Sequence, residues 1–472
     1  MQRLSWRNMQ DTSTLPPQPR FLSLGELLKA VIQSFSDEGL RTCVLRNYEG
    51  FPDCNVGSDV DFLIRKGELR SAIRALRSIK GIRIVGYAER SYAAHVFVEG
   101  VSPTPGVRAI GLDFVWSLNW KGLQYLTADD VLHAAIQRQA GDLTLLVPSP
   151  AHEAIISLLS SLLIGGWIKE KYSAKVHRTF AGDSLEVTAA LLPAFGRQAA
   201  TRLVDSVVNG DRQAMLSCVK PLRVSLTWRA LLHSPFRSVS AIARYHVREF
   251  IVRCTPTTLE TIFISGLDKV GRTKLIENLI SMLQYSAKLV ERRHFGAAFT
   301  ISHEMSRENG SANPCSGEQC GSLACVVRIP GWVLEEWLGQ FQKRQNLTLR
   351  FDESSCFNLL VNAQTSRNGL VAWISRLTAN LLPSFDLWIS LDGIEIFKKT
   401  RSELVLADET HKEIETYRAF VKTKKRCDIR AVSRPASFVT EEVYARIIET
   451  LSQRVEEKLR KRFNCARSVF CN

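Results

Sequence analysis

The chain is 472 residues long, 45% hydrophobic and 23% charged, which gives it enough apolar sequence for packed cores and excludes a chain disordered throughout. At about 150 residues per domain, roughly three domains fit that length. Lys and Arg total 62 against 47 Asp and Glu, and the resulting +15 suits an anionic partner such as nucleotide, nucleic acid or a membrane surface without choosing among them.

Residues 1–20 are polar, carry Pro16, Pro17 and Pro19, and are expected to form a disordered tail without the apolar core of a secretory signal. Eleven cysteines, an odd number, then suit the reducing cytoplasm. The longest apolar run, Ala154–Trp167, is too short and too serine-broken to span a bilayer, so no transmembrane segment is expected.

Ser23 and Glu26 form a capping-box pair, and Leu24, Leu27, Leu28, Val31, Ile32 and Phe35 then fall on one helical face. The period shortens to strands over 42–46, 60–64, 82–85, 94–98 and 109–115, with a helix over 66–76 between them. From Ser149 to Val247 the pattern is helical, broken at Gly165-Gly166, Gly182-Asp183 and Ser234-Pro235, and residues 255–257 read as a linker. A second α/β pattern follows. It has a strand over 261–265, a glycine-punctuated turn, a helix from Thr273, a strand over 387–391, and a closing helix with Thr440 as its cap. Ser306–Ser322 reads as a loop. The expected organisation is a tail over 1–20, an α/β domain over 21–147, a helical extension over 148–254 and a second, parallel α/β domain over 258–465.

Asp59 and Asp61 stand at i and i+2 in Ser58-Asp-Val-Asp-Phe-Leu-Ile, so in a strand they share one face while Val60, Phe62 and Ile64 take the other. Side-by-side carboxylates repel unless a cation sits between them, and hard oxygen donors suit Mg²⁺. Asp113, embedded in Ile110-Gly-Leu-Asp-Phe-Val, is a third such carboxylate. The alternative is that Asp59 caps a turn and Asp113 faces solvent.

With these residues in place, the segment resembles the polymerase-β-like nucleotidyltransferases, which carry an Asp-x-Asp and a third Asp on a later strand. Arg46-Asn47 stands where that family has Gly-Ser. Val44–Pro52, Trp120-Lys121-Gly122 and Gly165–Tyr172 look like a bacterial subgroup with Arg-Asn or Arg-Gly there. The resemblance covers about residues 20–250. It implies two Mg²⁺ ions held by Asp59, Asp61 and Asp113, with Asp113 also deprotonating the attacking hydroxyl, and an NTP whose phosphates meet Arg46 and Asn47.

Gly266-Leu-Asp-Lys-Val-Gly271-Arg272-Thr273 has the spacing of a phosphate loop, with Arg272 in the usual Lys place. Such glycines let backbone amides wrap a phosphate at a helix N-terminus, although a plain strand-to-helix turn explains Gly266 equally well. Phe263–Asp268, Asp386–Asp392, Lys398–Leu404 and Tyr417-Arg418 resemble thymidylate kinases over about residues 258–465. Glu353-Ser354 replaces that family's Asp-Arg pair, and Asn358 and Asn362 replace later Asp positions. The resemblance implies a kinase-like P-loop fold that keeps nucleotide binding and has lost phosphoryl transfer. Cys315, Cys320 and Cys325, near His294 and His303, lack the second close pair of a zinc site. His95 reads as a satisfied sheet residue, and Lys458–Arg462 as a solvated helix face rather than a nucleic-acid site.

The expected function is transfer of a nucleotidyl group from an NTP to a hydroxyl acceptor. Such fusions resemble proteins of bacterial surface-polysaccharide gene clusters. A nucleoside-phosphate kinase and a non-catalytic nucleotide-binding regulator remain the alternatives.

Overall fold

The computed structural model describes residues 21, 23–52, 59–100, 108–254, 261–265, 272–284, 286–293, 348–352, 369, 373, 377, 387–392, 427–431 and 436–469. The expected tail, the 255–257 linker and the 306–322 loop lie outside them. Contacts divide the chain into one unit of residues 1–84, 92–104 and 108–242, and another of 85–91, 105–107 and 243–472.

In the first unit, Ser23 caps helix α1 (Leu24–Asp37), its Oγ accepting the Glu26 amide at 3.1 Å. Strands β1 (Cys43–Val44), β2 (Val60–Leu63), β4 (Ala93–Glu99) and β5 (Ala109–Val115) belong to a sheet of order β1-β2-β5-β4-β3, whose edge strand β3 (Arg83–Glu89) is grouped from residue 85 with the other unit. β2 runs parallel to β5, and β1–β2 and β4–β5 are antiparallel. Phe35 of α1 meets Phe62 and Phe114 edge-on at 5.3 and 5.7 Å, and those two rings stack at 5.9 Å. Because strand side chains alternate, turning Phe62 and Phe114 toward α1 turns Asp61 and Asp113 to the opposite face. The second helix, α2 (Leu69–Ser78), buries Leu69, Ala72, Ile73, Ala75 and Leu76 on a single stripe.

Two hairpins have no counterpart in the sequence reading: β6 (Leu118–Trp120) with β7 (Leu123–Leu126), and β8 (Ile136–Ala140) with β9 (Leu143–Val147). Helix α3 (Ala128–His133) lies between them. They are short, and four of the five β8 residues are exposed, so hydrophobic alternation gives little signal.

Helices α4 (Pro150–Gly165), α5 (Glu170–Gly182), α6 (Ser184–Val208), α7 (Arg212–Ser217), α8 (Val219–His233) and α9 (Pro235–Cys254) break as expected at 165–166, 182–183 and 234–235, whereas the breaks on either side of α7 have no counterpart in the sequence reading. α4 is apolar nearly all round and forms the axis of a core shared with β6, β7 and helices α5, α6 and α8. Gly166 (φ 67) closes α4 in the left-handed conformation, its amide returning to the Leu162 carbonyl at 3.1 Å.

The second unit holds β10 (Thr261–Ser265), α10 (Arg272–Leu283), β11 (Leu289–Arg293), β12 (Thr348–Asp352), β13 (Leu387–Asp392), β14 (Cys427–Ala431) and α11 (Ala436–Val469). Its sheet order is β11-β12-β10-β13-β14, and every pairing is parallel. β10 is central. After β10 the chain lays down the edge strand β11, then β12 between it and β10, and resumes on the other side of β10 with β13. Thr440 is not a cap: α11 begins at Ala436, and the apolar stripe reaches back to Val439, which is 5% exposed. Of the expected Lys458–Arg462 face, Arg460, Lys461 and Arg462 are exposed, but Lys458 and Arg462 are also engaged with β3. Lys458 Nζ donates to the Tyr87 carbonyl at 3.1 Å, and Arg462 donates to both Glu89 oxygens at 2.7 and 2.8 Å.

If the Phe35–Phe62–Phe114 cluster holds α1 on the sheet, Phe62→Ala should cost about 3–5 kcal/mol in a urea titration. A cost below about 1 kcal/mol would mean that the cluster is not the anchor of that layer.

Candidate functional site

The parallel register sets Asp61 of β2 directly beside Asp113 of β5, and the antiparallel register sets His95 of β4 beside Asp113 on its other side. Asp59 continues the same face at i−2 from Asp61. A Cβ built on Gly111 would lie 2.2 Å from Asp59 Oδ1, so the Asp59 carboxylate rests against the bare backbone of β5, two residues before Asp113. The three aspartates expected as a set therefore share one sheet face, with Gly111 leaving room for Asp59.

Each of the other two carboxylates faces a cationic or titratable side chain. Arg46 Nε donates to Asp61 Oδ2 at 2.6 Å, and Asp113 pairs closely with His95 Nδ1. Asn47, immediately after Arg46, adopts φ 58, a conformation Asn tolerates better than most residues. From there its Nδ2 donates to the Tyr172 hydroxyl at 3.1 Å, and the Arg46 guanidinium lies 5.6 Å from the Tyr172 ring centre. Arg46 Nη1 also reaches Ser160 Oγ on α4 at 3.5 Å. Burial opposes the Arg46 charge, but Asp61 outweighs it and raises the Arg46 pKa. Lys169, at the start of α5, has its pKa lowered by burial and then by Arg46, with Asp61 acting in the opposite sense.

A second polar cluster fastens the segment after β1. Tyr48 donates to Glu153 Oε2 at 2.8 Å, and Lys175 pairs with Glu153 and with Glu49. Arg138 donates to the Tyr48 hydroxyl at 3.2 Å. Glu153 is only 4% exposed, so its charge depends on these partners. Burial and the bond to Glu153 push the Tyr48 phenol up to about 12, and burial does the same for the Cys43 thiol.

All-oxygen carboxylate donors on one face suit a hard divalent cation, and their backbone placement fits one. As the side chains stand, Asp61 is turned to Arg46 and Asp113 to His95. Among the described residues, no group of three or more His, Cys, Asp or Glu side chains is gathered to hold a metal ion.

In the second unit, Arg272 opens α10, and Thr273, exposed behind it, accepts Arg292 Nη2 at 3.5 Å. Gly266, Gly271, Glu353, Ser354, Asn358, Asn362, the 398–404 and 417–418 segments, and the Cys315, Cys320, Cys325, His294 and His303 group lie outside the described residues.

Sequence reasoning set His95 aside as a sheet residue and did not single out Lys169 or Ser160. The pairing of His95 with Asp113 depends on the β4–β5 register, which no local pattern encodes. Lys169 was visible only as part of the Gly165–Tyr172 run.

No protein-family model matches the chain, and the comparison with curated proteins gives no match. Among solved structures, thymidylate kinase from Ehrlichia chaffeensis aligns with 39% of this chain and 96% of its own, at 11% identity. Its TM-score of 0.26 is too low to carry a fold or an activity.

Two outcomes follow from this geometry. Gly111→Ala should cost about 1–3 kcal/mol and displace Asp59, read as a lowered urea midpoint with altered NMR shifts around β2. A silent Gly111→Ala would mean Asp59 does not rest on β5. Second, Cys43 and Tyr48 keep their protons to about pH 12 when folded. Unfolded thiols and phenols release theirs nearer 8.5 and 10. The folded state therefore binds more protons through that window, and stability must fall as pH rises, by up to about 1.4 kcal/mol per pH unit for each group. The double variant Cys43→Ala/Tyr48→Phe should flatten the decline between pH 9 and 11 in urea titrations, and an unchanged slope would assign the loss elsewhere.

Proposed function

We propose that the first unit transfers a nucleotidyl group from an NTP to a hydroxyl acceptor. The observation that carries this reading is the register match of Asp61 with Asp113 on adjacent parallel strands, with Asp59 packed over Gly111 on the same face. Three carboxylates placed on one face, with Arg46 paired to one of them and Lys169 near Arg46, form a site of mixed charge, suited to a polyphosphate and its counter-cation rather than to an apolar ligand. Asp59, Asp61 and Asp113 would hold Mg²⁺, which when bound supplies a Lewis acid that neutralises the triphosphate.

The chain's own residues have separate tasks. Arg46 and Lys169 bind phosphate oxygens, Arg46 as a planar fork and Lys169 as a point charge. Asn47 and Tyr172 fix the turn that aims Arg46. Asp113, its rotamer held by His95, accepts the proton of the acceptor hydroxyl as that oxygen bonds to the α-phosphorus. The α–β phosphoanhydride bond then breaks, and pyrophosphate leaves with its electron pair.

A second reading concerns the other unit. In an open parallel sheet, ligands bind beyond the carboxyl ends of strands where the winding reverses, and here it reverses between β10 and β13. The Gly266–Thr273 segment follows β10 at that position in the chain, so nucleotide binding there is a reasonable companion activity, with Arg272 in place of the usual Lys arguing against phosphoryl transfer.

The test is to incubate the full chain with α- and γ-labelled NTPs and a cell-extract acceptor pool. Movement of the α-label to the acceptor, with release of pyrophosphate, supports the reading. Asp61→Asn should reduce that transfer by at least about a thousandfold, while its amide oxygen still accepts Arg46 Nε and the melting temperature stays within a few degrees. Movement of the γ-label, persisting in Asp61→Asn, would instead assign the chemistry to the second unit.

A further inference from the structure

Helix α8 is apolar on two sides. Its inner side, Val219, Leu222 and Leu226, is buried in the core of the first unit. Its outer side repeats every four residues as Lys220, Val224, Trp228 and Leu232, all exposed, with Trp228 at 61% and Leu232 at 76%. In sequence, exposed apolar residues run on into the first turns of α9, with Phe236 90% exposed and Val239 58% exposed. A helix whose only task was to close the core would carry polar residues on that outer side.

The sequence that carries this stripe is one-sided in charge. From Arg212 to Arg248 the sequence contains Arg212, Lys220, Arg223, Arg229, Arg237, Arg244 and Arg248 and not one Asp or Glu. Over the whole chain, Asp and Glu are 47 of 472 residues, about one in ten, so a run of 37 without any is a marked local bias. Arg223 and Arg229 partly serve the fold, donating to the Leu163 and Pro193 carbonyls, and Arg212 and Arg248 pair with Glu170 and Glu89. Lys220 and Arg237 are exposed beside the stripe.

We propose that the outer face of α8 and the start of α9 docks on an anionic lipid surface, lying in the interface without crossing it. Trp, Phe and Leu on one face flanked by cations is the composition that inserts shallowly among headgroups. Each cation near such a surface gains from its negative potential, and no carboxylate in the stretch opposes that gain. Among the described residues, no helix is long and apolar enough to cross a membrane, which fits docking rather than insertion. Nucleic acid accounts for the cations but not for exposed Val224, Leu232 and Val239, which neither stack on bases nor pair with phosphate. The inference is independent of the transfer chemistry.

The experiment is vesicle flotation of the full chain, using phosphatidylcholine alone and phosphatidylcholine with about one-third phosphatidylglycerol. The chain is expected to float with the anionic vesicles, to stay down with the neutral ones, and to be released by about 0.5 M salt, where the screening length is only a few ångströms. Trp228→Ser/Phe236→Ser and Lys220→Glu/Arg237→Glu should each weaken binding by at least about tenfold. These side chains are exposed, so the urea midpoint of each variant should match wild type. The proposal is overturned if wild type fails to float, if it floats equally on neutral vesicles, or if both variants float like wild type. It is also overturned if the first variant merely dissociates a dimer in light scattering without affecting flotation, since the face would then belong to a second copy. Binding to duplex DNA without vesicle binding would equally assign the surface to a different partner.

Discussion

Like charges set side by side on a sheet must be offset, and the arrangement around β2 and β5 follows from that constraint. Neighbouring strands lie about 4.8 Å apart, and two unit charges at that spacing repel by roughly 3 kcal/mol at an effective dielectric near 20. Asp61 pairs with the Arg46 guanidinium, Asp113 hydrogen-bonds the His95 ring, and the Asp59 carboxylate rests over Gly111, which has no side chain. On the opposite face Phe62 and Phe114 pack under Phe35, which fixes which way the carboxylates turn. A one-residue slip of β2 would turn Asp59 and Asp61 toward α1 and away from Asp113, so packing of one face enforces the electrostatics of the other.

The arrangement extends outward through the segment after β1. Asn47 turns the chain at positive φ, and the next residue, Tyr48, is clamped by Glu153, Lys175 and Arg138. Residues from α4, α5 and β8 thus hold a stretch that in isolation would be a short loop. The helices of the first unit are not an appendage to the carboxylate face: Ser160 and Tyr172 touch Arg46, and Lys169 lies close enough for Arg46 to depress its pKa.

Much of this was legible in the sequence where a strong period meets clear punctuation. The Ser23 cap, the breaks at Gly165-Gly166, Gly182-Asp183 and Ser234-Pro235, and the shared face of Asp59 and Asp61 follow from local rules. The short hairpins over 118–147 were not legible, because β8 is mostly exposed and its turn residues look like ordinary loop. Thr440 was misread as a cap because a polar residue followed by two acids imitates a helix start, while the apolar stripe that extends α11 begins before it. His95 was legible as a sheet residue but not as the neighbour of Asp113, since register is a property of the assembled sheet. The role of Gly111 could have been suspected from its place two residues before Asp113, yet only the neighbouring strand shows what fills the space a side chain would need.

The attachment of Arg46 has a consequence for ligand affinity. Its guanidinium is held by Asp61, reaches Ser160 and lies against Tyr172, so its rotamers are selected when the chain folds. A free surface arginine that grips an anion gives up about 0.5–1.5 kcal/mol of conformational freedom on binding. Here that ordering is complete beforehand, so if Arg46 takes a phosphate as proposed, the ligand would meet a cation that is already stationary. The entropy is lost once, at folding, and under the proposed function the site's affinity would owe part of its strength to the contacts with Ser160 and Tyr172 made before any ligand arrives.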